Sequence, residues 1–469
     1  MNFIIKIFYS VVVNLLIFLS LLNAQTNNQH PDLVFPKNWS NPTILPDHVI
    51  LTFSEDPSTT QSVTWRTNTS VKKGIAEIAL ADGAPRFWRN LIQYTAVTTL
   101  MNADEILTAN ISSNYHSATF KNLIPDTLYA YRVGDGEHWS EWFQFRTAAK
   151  IAKPFSFLYV GDAQNYILEL WSRLIRQGYK TAPEARFIVH AGDLVNNAHH
   201  EIQWHEWFTA GGWLHGMLPS VPTPGNHEYR NYNTEEESKN ISHLSYQWPY
   251  QFTLPQNGPD LLKETVYFFD YQNTRIISLN SNRLIKEQVP WLDSVLSNNP
   301  NKWTVITFHH PVFSGAKGRD NKELRNLWKP LFDKHSVDLV LTGHDHTYTR
   351  GQSPKAKNTI TGLNKKDGAT VYVVSVSGGK MYTLSEDLWN EYTDAKLDRK
   401  AENTQLFQVI NIDGDKLKYE AYTATGQLYD AFDLIKRYNK GNQLIDKVKQ
   451  VITERSHTNT IIYENSKKY

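Results

Sequence analysis

The sequence predicts an all-β sandwich followed by an α/β layered domain, and three observations carry that expectation. Short β-rich runs separated by turn residues fill residues 46–147. After Thr147, apolar strands alternate with helical stretches, the pattern of a layered α/β architecture. Several chain segments after that point end on Asp, Asn or His, and the carboxyl ends of strands in an open α/β sheet form its ligand crevice.

Taken in order, Met1 to Ala24 carries Lys6, an apolar run from Ile7 to Leu22, and then Asn23-Ala24-Gln25. This reads as a signal peptide cleaved after Ala24. Leu22 is larger than the small residue preferred there, so an uncleaved N-terminal anchor is the alternative. Both readings export the protein, to the periplasm or the medium. No later segment approaches the roughly 20 apolar residues of a spanning helix, so the mature chain is expected to lack one.

The runs His48–Phe53, Gln61–Trp65, Ala76–Leu80, His116–Phe120, Leu128–Val133 and Trp142–Arg146 have the strand spacing of a β-sandwich, placed over residues 40–150. Within it, Leu123–Val133 resembles the tyrosine-bearing corner of fibronectin type III domains. The later strands are expected at Phe155–Val160, Arg186–Val189, Thr274–Leu279, Trp303–Phe308, Val337–Leu341 and Val371–Val376. Leu168–Gly178, with Leu170, Trp171, Leu174 and Ile175, predicts an amphipathic crossover helix. Leu406–Ile412 and Leu417–Tyr422 predict closing antiparallel strands. The basic stretch after Arg437 predicts a surface helix over Leu444–Glu454 and a frayed tail, in a C-terminal segment of residues 437–469.

Composition narrows the function. The chain of 469 residues has 48 Lys and Arg against 47 Asp and Glu, so no global field and no nucleic-acid-binding tract draws it to a polyanion. Fourteen Trp and 24 Tyr suit large packed β surfaces. There is no cysteine, which excludes a disulfide-linked dimer, thiolate zinc sites and a cysteine nucleophile. A metal must then be held by His, Asp, Asn, Glu or Tyr.

The chemistry-bearing stretches are Val160-Gly-Asp162, His190-Ala-Gly-Asp193, Gly225-Asn-His-Glu228, Phe308-His-His310 and Thr342-Gly-His-Asp-His346. Singly each is weak, because a Gly-Asp after a strand is usually a turn or a helix N-cap. His344 and His346 are stronger, since alternation along an extended chain puts residues i and i+2 on one side. Together they deliver oxygen and imidazole ligands suited to zinc, iron or manganese.

In this order the motifs resemble the metallophosphoesterase superfamily and, within it, the purple acid phosphatases, over nearly the whole mature chain to the closing Leu428–Leu434. The resemblance implies a four-layer α/β/β/α catalytic domain over residues 151–436 and two metal ions, iron, zinc or manganese. It implies hydrolysis of phosphate monoesters by a metal-activated hydroxide. Asp162 and His346 would bind the first metal, Asn226, His309 and His344 the second, and Asp193 would bridge them. His227 would reach the phosphate or the leaving oxygen.

The chain departs from the family pattern at three places. Gly161-Asp-Ala-Gln164 replaces Gly-Asp-x-Gly, and Asn196 stands three residues after Asp193 where the family has its metal-binding tyrosine. Gln164 and Asn196 are therefore additional ligand candidates, and the purple colour is not expected. Tyr166, at the start of the predicted helix, is expected to point along the surface. Arg319-Asp-Asn321 replaces the histidines of plant-type members, and a guanidinium fork suits phosphate. The expected partner is a small phosphorylated substrate. Phosphodiesters or nucleotides are the alternative substrates, and a surface-binding protein with a degenerate metal site is the alternative class. Retention of Asn226, His309, His344 and His346 together argues against the latter.

Overall fold

The β-rich runs of the N-terminal half form eight strands in the structure, a computed structural model that describes residues 33–103, 111–230, 242–353, 370–437 and 440–456. They are β1 (Asp47–Thr52), β2 (Gln61–Thr67), β3 (Ile75–Leu80), β4 (Ile92–Thr95), β5 (Val97–Met101), β6 (Ser113–Phe120), β7 (Leu128–Gly134) and β8 (Phe143–Arg146). One sheet runs β4-β3-β7-β8, and facing it lies β1-β2-β6-β5. Leu51, Val63, Trp65, Phe120, Tyr131, Phe143 and Phe145 form the core between them. β8 shows the alternation of a half-buried strand, with Phe143 and Phe145 inside and Gln144 and Arg146 out. The corner tyrosine is Tyr129, whose hydroxyl accepts the Ile124 N–H at 2.8 Å.

Sixteen further strands are described. They are β9 (Phe155–Val160), β10 (Ala185–His190), β11 (Ser220–Pro222), β12 (Tyr229–Arg230), β13 (His243–Leu244), β14 (Tyr267–Tyr271), β15 (Thr274–Ser278) and β16 (Trp303–Thr307), then β17 (Leu339–Thr342), β18 (Tyr348–Gln352), β19 (Val371–Val374), β20 (Lys396–Ala401), β21 (Leu406–Asp413), β22 (Lys416–Thr423), β23 (Leu428–Arg437) and β24 (Lys440–Asp446). One large sheet runs β24-β23-β22-β21-β9-β10-β11 and continues into β1-β2-β6-β5 of the sandwich; a second runs β14-β15-β16-β17-β19-β18-β20. In the first, β9, β10 and β11 are parallel. In the second, β15, β16, β17 and β19 are parallel.

Strands buried on both faces explain the continuous apolar runs. Val305, Leu339, Leu341 and Val373 point into a core shared with Phe157, Tyr159, Phe187 and Val189 of the first sheet. Their neighbours Ile306, Val340 and Tyr372 point the other way, onto Leu292 and Val295 of the helix Gln288–Ser297 and Trp328 and Phe332 of the helix Lys322–His335. Leu174 and Ile175, from the helix Ser172–Thr181, join the first core. The chain is thus an all-β domain followed by the layered α/β fold that its pattern predicts. The crossover helix opens with a π-type turn over Ile167–Trp171 before the α-helix begins at Ser172.

The expected helix over Leu444–Glu454 is a correction. Lys440–Asp446 is instead an edge strand paired antiparallel with β23, from Ile435↔Gln443 to Phe432↔Asp446, and only Val448–Gln450 makes a helical turn. The free ladder groups of β23 offered hydrogen bonds that outweighed a weak local helix preference.

Residues 1–39 form a unit of their own, of which the described part is a short segment with Phe35 stacked on Trp39, ring centroids 4.0 Å apart. The expected signal peptide, Met1–Ala24, lies outside the described residues, as do residues 231–241 of the loop from Arg230 to His243. Among the described residues no helix is long and apolar enough to cross a membrane.

Candidate metal centre

Loops leaving β9, β10 and β11 of one sheet and β16, β17 and β19 of the other meet where the carboxyl edges of the two parallel sets face each other. Asp162 follows β9, Asp193 follows β10, Asn226 and His227 follow β11, His309 follows β16, and His344 and His346 follow β17. The fold brings all of these together. One ligand atom from each of Asp162, Asp193 and His309 lies within 4.8 Å of the others.

Four potential ligand atoms crowd one point. Asp193 Oδ2 lies 3.2 Å from His309 Nε2, which lies 3.1 Å from Asn226 Oδ1 and from His344 Nδ1. Asn226 Oδ1 in turn is 3.0 Å from His344 Nδ1. His309 donates its Nδ1–H to the Ala191 carbonyl at 2.9 Å, which aims Nε2 at the cluster and leaves it as the nitrogen that a metal would take. His346 does the same with the Lys380 carbonyl at 2.9 Å, so its bare Nε2 faces Asp162 Oδ1 at 3.7 Å. Gln164 Nε2 donates to Asp193 Oδ2 at 2.7 Å, while its Oε1 is buried without a hydrogen-bond partner. Asp162, Asp193 and His346 could hold one cation, and Asp193, Asn226, His309 and His344 a second.

Electrostatics say the same. Burial pushes the Asp162 carboxyl up to about 8. Burial would also raise Asp193, yet the charges of His309 and His227 hold it well below the usual carboxylate range. Burial alone would depress His309, and the Asp193 charge and hydrogen bond overcome it and raise the imidazole to about 9. The metal-free cluster therefore gathers protons to offset its negative charge, a role that cations perform when bound. Burial, then the charges of neighbouring groups, keeps His344 and His346 neutral, the state in which imidazole binds metal.

The backbone is bent to make this geometry. Asp162, Asp193, His344 and His346 have φ of 44°, 50°, 73° and 50°, a left-handed conformation that non-glycine residues rarely adopt. Such strain costs about 1–3 kcal/mol per residue and clusters at functional sites. Gly343 is required for close approach, because a Cβ there would lie 2.2 Å from Asp162 Oδ2.

Around the cluster, His227 donates its N–H to Asp193 Oδ1 at 2.8 Å and holds its Nε2 3.8 Å from Asp193 Oδ2. Its Nδ1 meets the Asn196 carbonyl and the Arg230 guanidinium. Asn196 thus serves through its main-chain carbonyl, which also accepts from Arg230 Nη2 at 2.9 Å. Arg319 Nη2 lies 2.6 Å from His344 Nε2, and its Nε lies 3.4 Å from Asp345 Oδ1. His310 packs its ring 4.1 Å from that of His344, with its Nδ1 2.8 Å from Ser281 Oγ.

Glu228 is a residue whose role the sequence did not disclose. Fully buried, its carboxylate accepts the N–H groups of Asp193 at 2.9 Å, Leu194 at 3.0 Å and Gly225 at 2.7 Å. It ties the loop that carries the bridging candidate to the loop that carries Asn226. Its place in Gly225-Asn-His-Glu228 was visible, but nothing local distinguishes a buried Glu from a solvated one.

Residues 46–147 match the purple acid phosphatase N-terminal domain, and residues 155–348 match the calcineurin-like phosphoesterases. Both domains, in this order, are similar to those of the purple acid phosphatases. A purple acid phosphatase of Glycine max is 26% identical over 302 residues, 60% of this chain and 63% of that one. An Arabidopsis thaliana relative named Fe(3+)-Zn(2+) purple acid phosphatase 12 is 25% identical over 303 residues, 60% of this chain and 62% of its own. The solved purple acid phosphatase PPD1 of yellow lupin shares the fold with a TM-score of 0.67 at 18% identity, covering 84% of this chain and 75% of that one. The phosphoesterase domain and the purple acid phosphatase relatives make the protein a phosphatase whose chemistry is metal-dependent phosphoester hydrolysis.

Proposed function

We propose that the protein hydrolyses phosphate monoesters outside the cytoplasm, with Asp162 and His346 holding one cation, Asn226, His309 and His344 a second, and Asp193 bridging them. The observation that carries this reading is the convergence of Asp193 Oδ2, Asn226 Oδ1 and His344 Nδ1 on His309 Nε2, at 3.2, 3.1 and 3.1 Å. When bound at these residues, two cations would supply Lewis acidity to phosphoryl oxygens and lower the pKa of a water. Iron, zinc and manganese all suit this oxygen and imidazole set, and the name of the Arabidopsis relative supports iron with zinc.

The protein's own groups do the rest. Asn226 is a neutral ligand, which limits negative charge at the second position and favours an anionic substrate. His227, beside Asn226 and locked through Nδ1, presents Nε2 toward the leaving oxygen. Once His344 Nδ1 serves a cation, its Nε2 carries the hydrogen and cannot accept from Arg319. The guanidinium then turns its donors to the substrate phosphate, whose dianion it pairs better than a diester monoanion.

The test is metal analysis of the purified protein with a panel of phosphomonoesters and phosphodiesters. Two ions per chain and faster turnover of monoesters are expected. A preference for diesters would overturn the monoester reading, and a single ion per chain would overturn the ligand assignment. Recovery of the mature protein from culture medium or periplasm, with its N-terminus at Gln25, is the expected outcome for export.

A further inference from the structure

The loop after β19 contributes to this site in a way that neither the motifs nor the ligand set requires. Gly378-Gly379-Lys380 follows the strand, and the Lys380 carbonyl accepts His346 Nδ1–H at 2.9 Å while Tyr382 N–H donates to the His346 carbonyl at 3.0 Å. The main chain therefore brackets His346. Among the described residues, Lys380 has no carboxylate partner within salt-bridge distance, although it is half-buried.

The Lys380 ammonium lies over the Tyr382 ring, 5.6 Å from its centroid, and the Arg319 guanidinium lies over the same ring at 5.1 Å. Tyr382 in turn packs edge-on against His346, centroids 4.8 Å apart. Two cations thus share one aromatic platform, and that platform leans on a ligand candidate. The two cations reach this ring from different loops, Lys380 from the one after β19 and Arg319 from the one before the helix Lys322–His335. A half-buried ammonium set among groups that also bear on two metal cations is electrostatically unfavourable unless an anion joins them.

We infer that Lys380 is a substrate-binding residue, which with Arg319 across Tyr382 grips the phosphate dianion of the monoester. This rests on the monoester reading above and deepens it. A monoester brings the extra negative charge that a second cation can pair, whereas a diester does not. Tyr382 is a positioning residue, holding both cations at the mouth by cation–π attraction.

The experiment compares the metal-loaded wild type with Lys380→Met and Lys380→Arg. A charge-assisted hydrogen bond is worth about 1.5–3 kcal/mol, so Lys380→Met should weaken binding of inorganic phosphate about 10- to 100-fold by calorimetry. KM for a monoester should rise in parallel, with kcat changed less than about threefold and KM for a diester little altered. Lys380→Arg should recover most of the affinity. Metal content should stay at the wild-type value in both, because only the Lys380 main chain holds His346. Unchanged phosphate affinity in Lys380→Met, or loss of metal together with affinity, overturns the inference. Phosphate binding needs no turnover, so a wild type that prefers diesters would sink the monoester reading while leaving the Lys380 result separately readable.

Discussion

At the scale of the residue, the proposed assignment separates groups that hold cations from groups that act beside them. His227 donates through its main chain to Asp193 and meets the Asn196 carbonyl through Nδ1, which suits a role beside the cations. Replacing His227 by Ala should therefore lower kcat by about 10²–10⁴, the usual worth of a positioned proton donor, with both metals retained. Metal lost together with activity would reassign it as a ligand. The position three after Asp193 supplies a main-chain carbonyl from Asn196, and its amide side chain has no charge-transfer transition with ferric iron. Tyr166, the nearest alternative phenol in sequence, has its ring against the main chain at Gly379, where an added Cβ would lie 3.0 Å from Tyr166 Cδ2. Ferric-loaded protein should lack the intense phenolate band, and Asn196→Tyr should acquire it. A band in the unmodified protein would refute the assignment.

At the scale of the element, loops are held to one another by buried polar groups that act at a distance from the chemistry. Glu228 receives three main-chain N–H groups from two loops. Glu228→Gln turns its amide NH2 toward one of those donors, which should cost about 1–3 kcal/mol of stability. It should also weaken metal binding about 10- to 100-fold, as loss of a group that orients ligands does. Thermal melting of the metal-free protein and a metal titration check the two effects separately. In the sandwich, buried His116 bridges Thr67 Oγ1 at 2.8 Å and Thr98 Oγ1 at 2.9 Å, and burial holds its pKa down to about 4. His215, also buried, is held at about 4 for the same reason. A histidine depressed in the fold is neutral there, whereas the unfolded chain takes up the proton first as pH falls through about 6.5. Their contribution is thus full above about pH 6.5 and is lost as pH falls toward 4. The melting temperature should drop over that window, and His116→Gln should flatten the drop. An equally steep dependence in the variant would exclude His116 as a source.

At the scale of the whole molecule, the sandwich and the catalytic layers share structure across their junction. The large sheet passes from β11 to β1 by parallel pairing at Thr52↔Ser220. Every residue of β2 is buried, because the face turned away from the sandwich core meets the catalytic layers. There Arg66 pairs with Asp47 and with Glu201, Thr64 Oγ1 lies 3.0 Å from Thr253 Oγ1, and Tyr131 donates its hydroxyl to the Gly216 carbonyl at 2.7 Å. Separating the halves would strand the buried Arg66 and Glu201 charges, a penalty of several kcal/mol. Residues 40–456 are therefore expected to unfold in one cooperative calorimetric transition. Two resolved transitions, one from the sandwich alone, would contradict this coupling.

The sequence by itself determined the layer order and the ligand candidates, because both follow from local signals. Apolar runs of strand length mark strands buried on two faces, and Asp162, Asp193, His309, His344 and His346 stand just beyond their carboxyl ends. Tertiary structure alone decided what depends on neighbours distant in the chain. The left-handed φ of four ligand candidates exists because packing against other loops holds it, and no short window of sequence encodes that. Glu228 and Lys380 read locally as solvated charges, and acquire roles only when loops from two sheets enclose them. The C-terminal segment was misread for the same reason: the pattern of Leu444–Glu454 weakly favours a helix, while the open edge of β23 offers backbone hydrogen bonds that only the assembled sheet can supply.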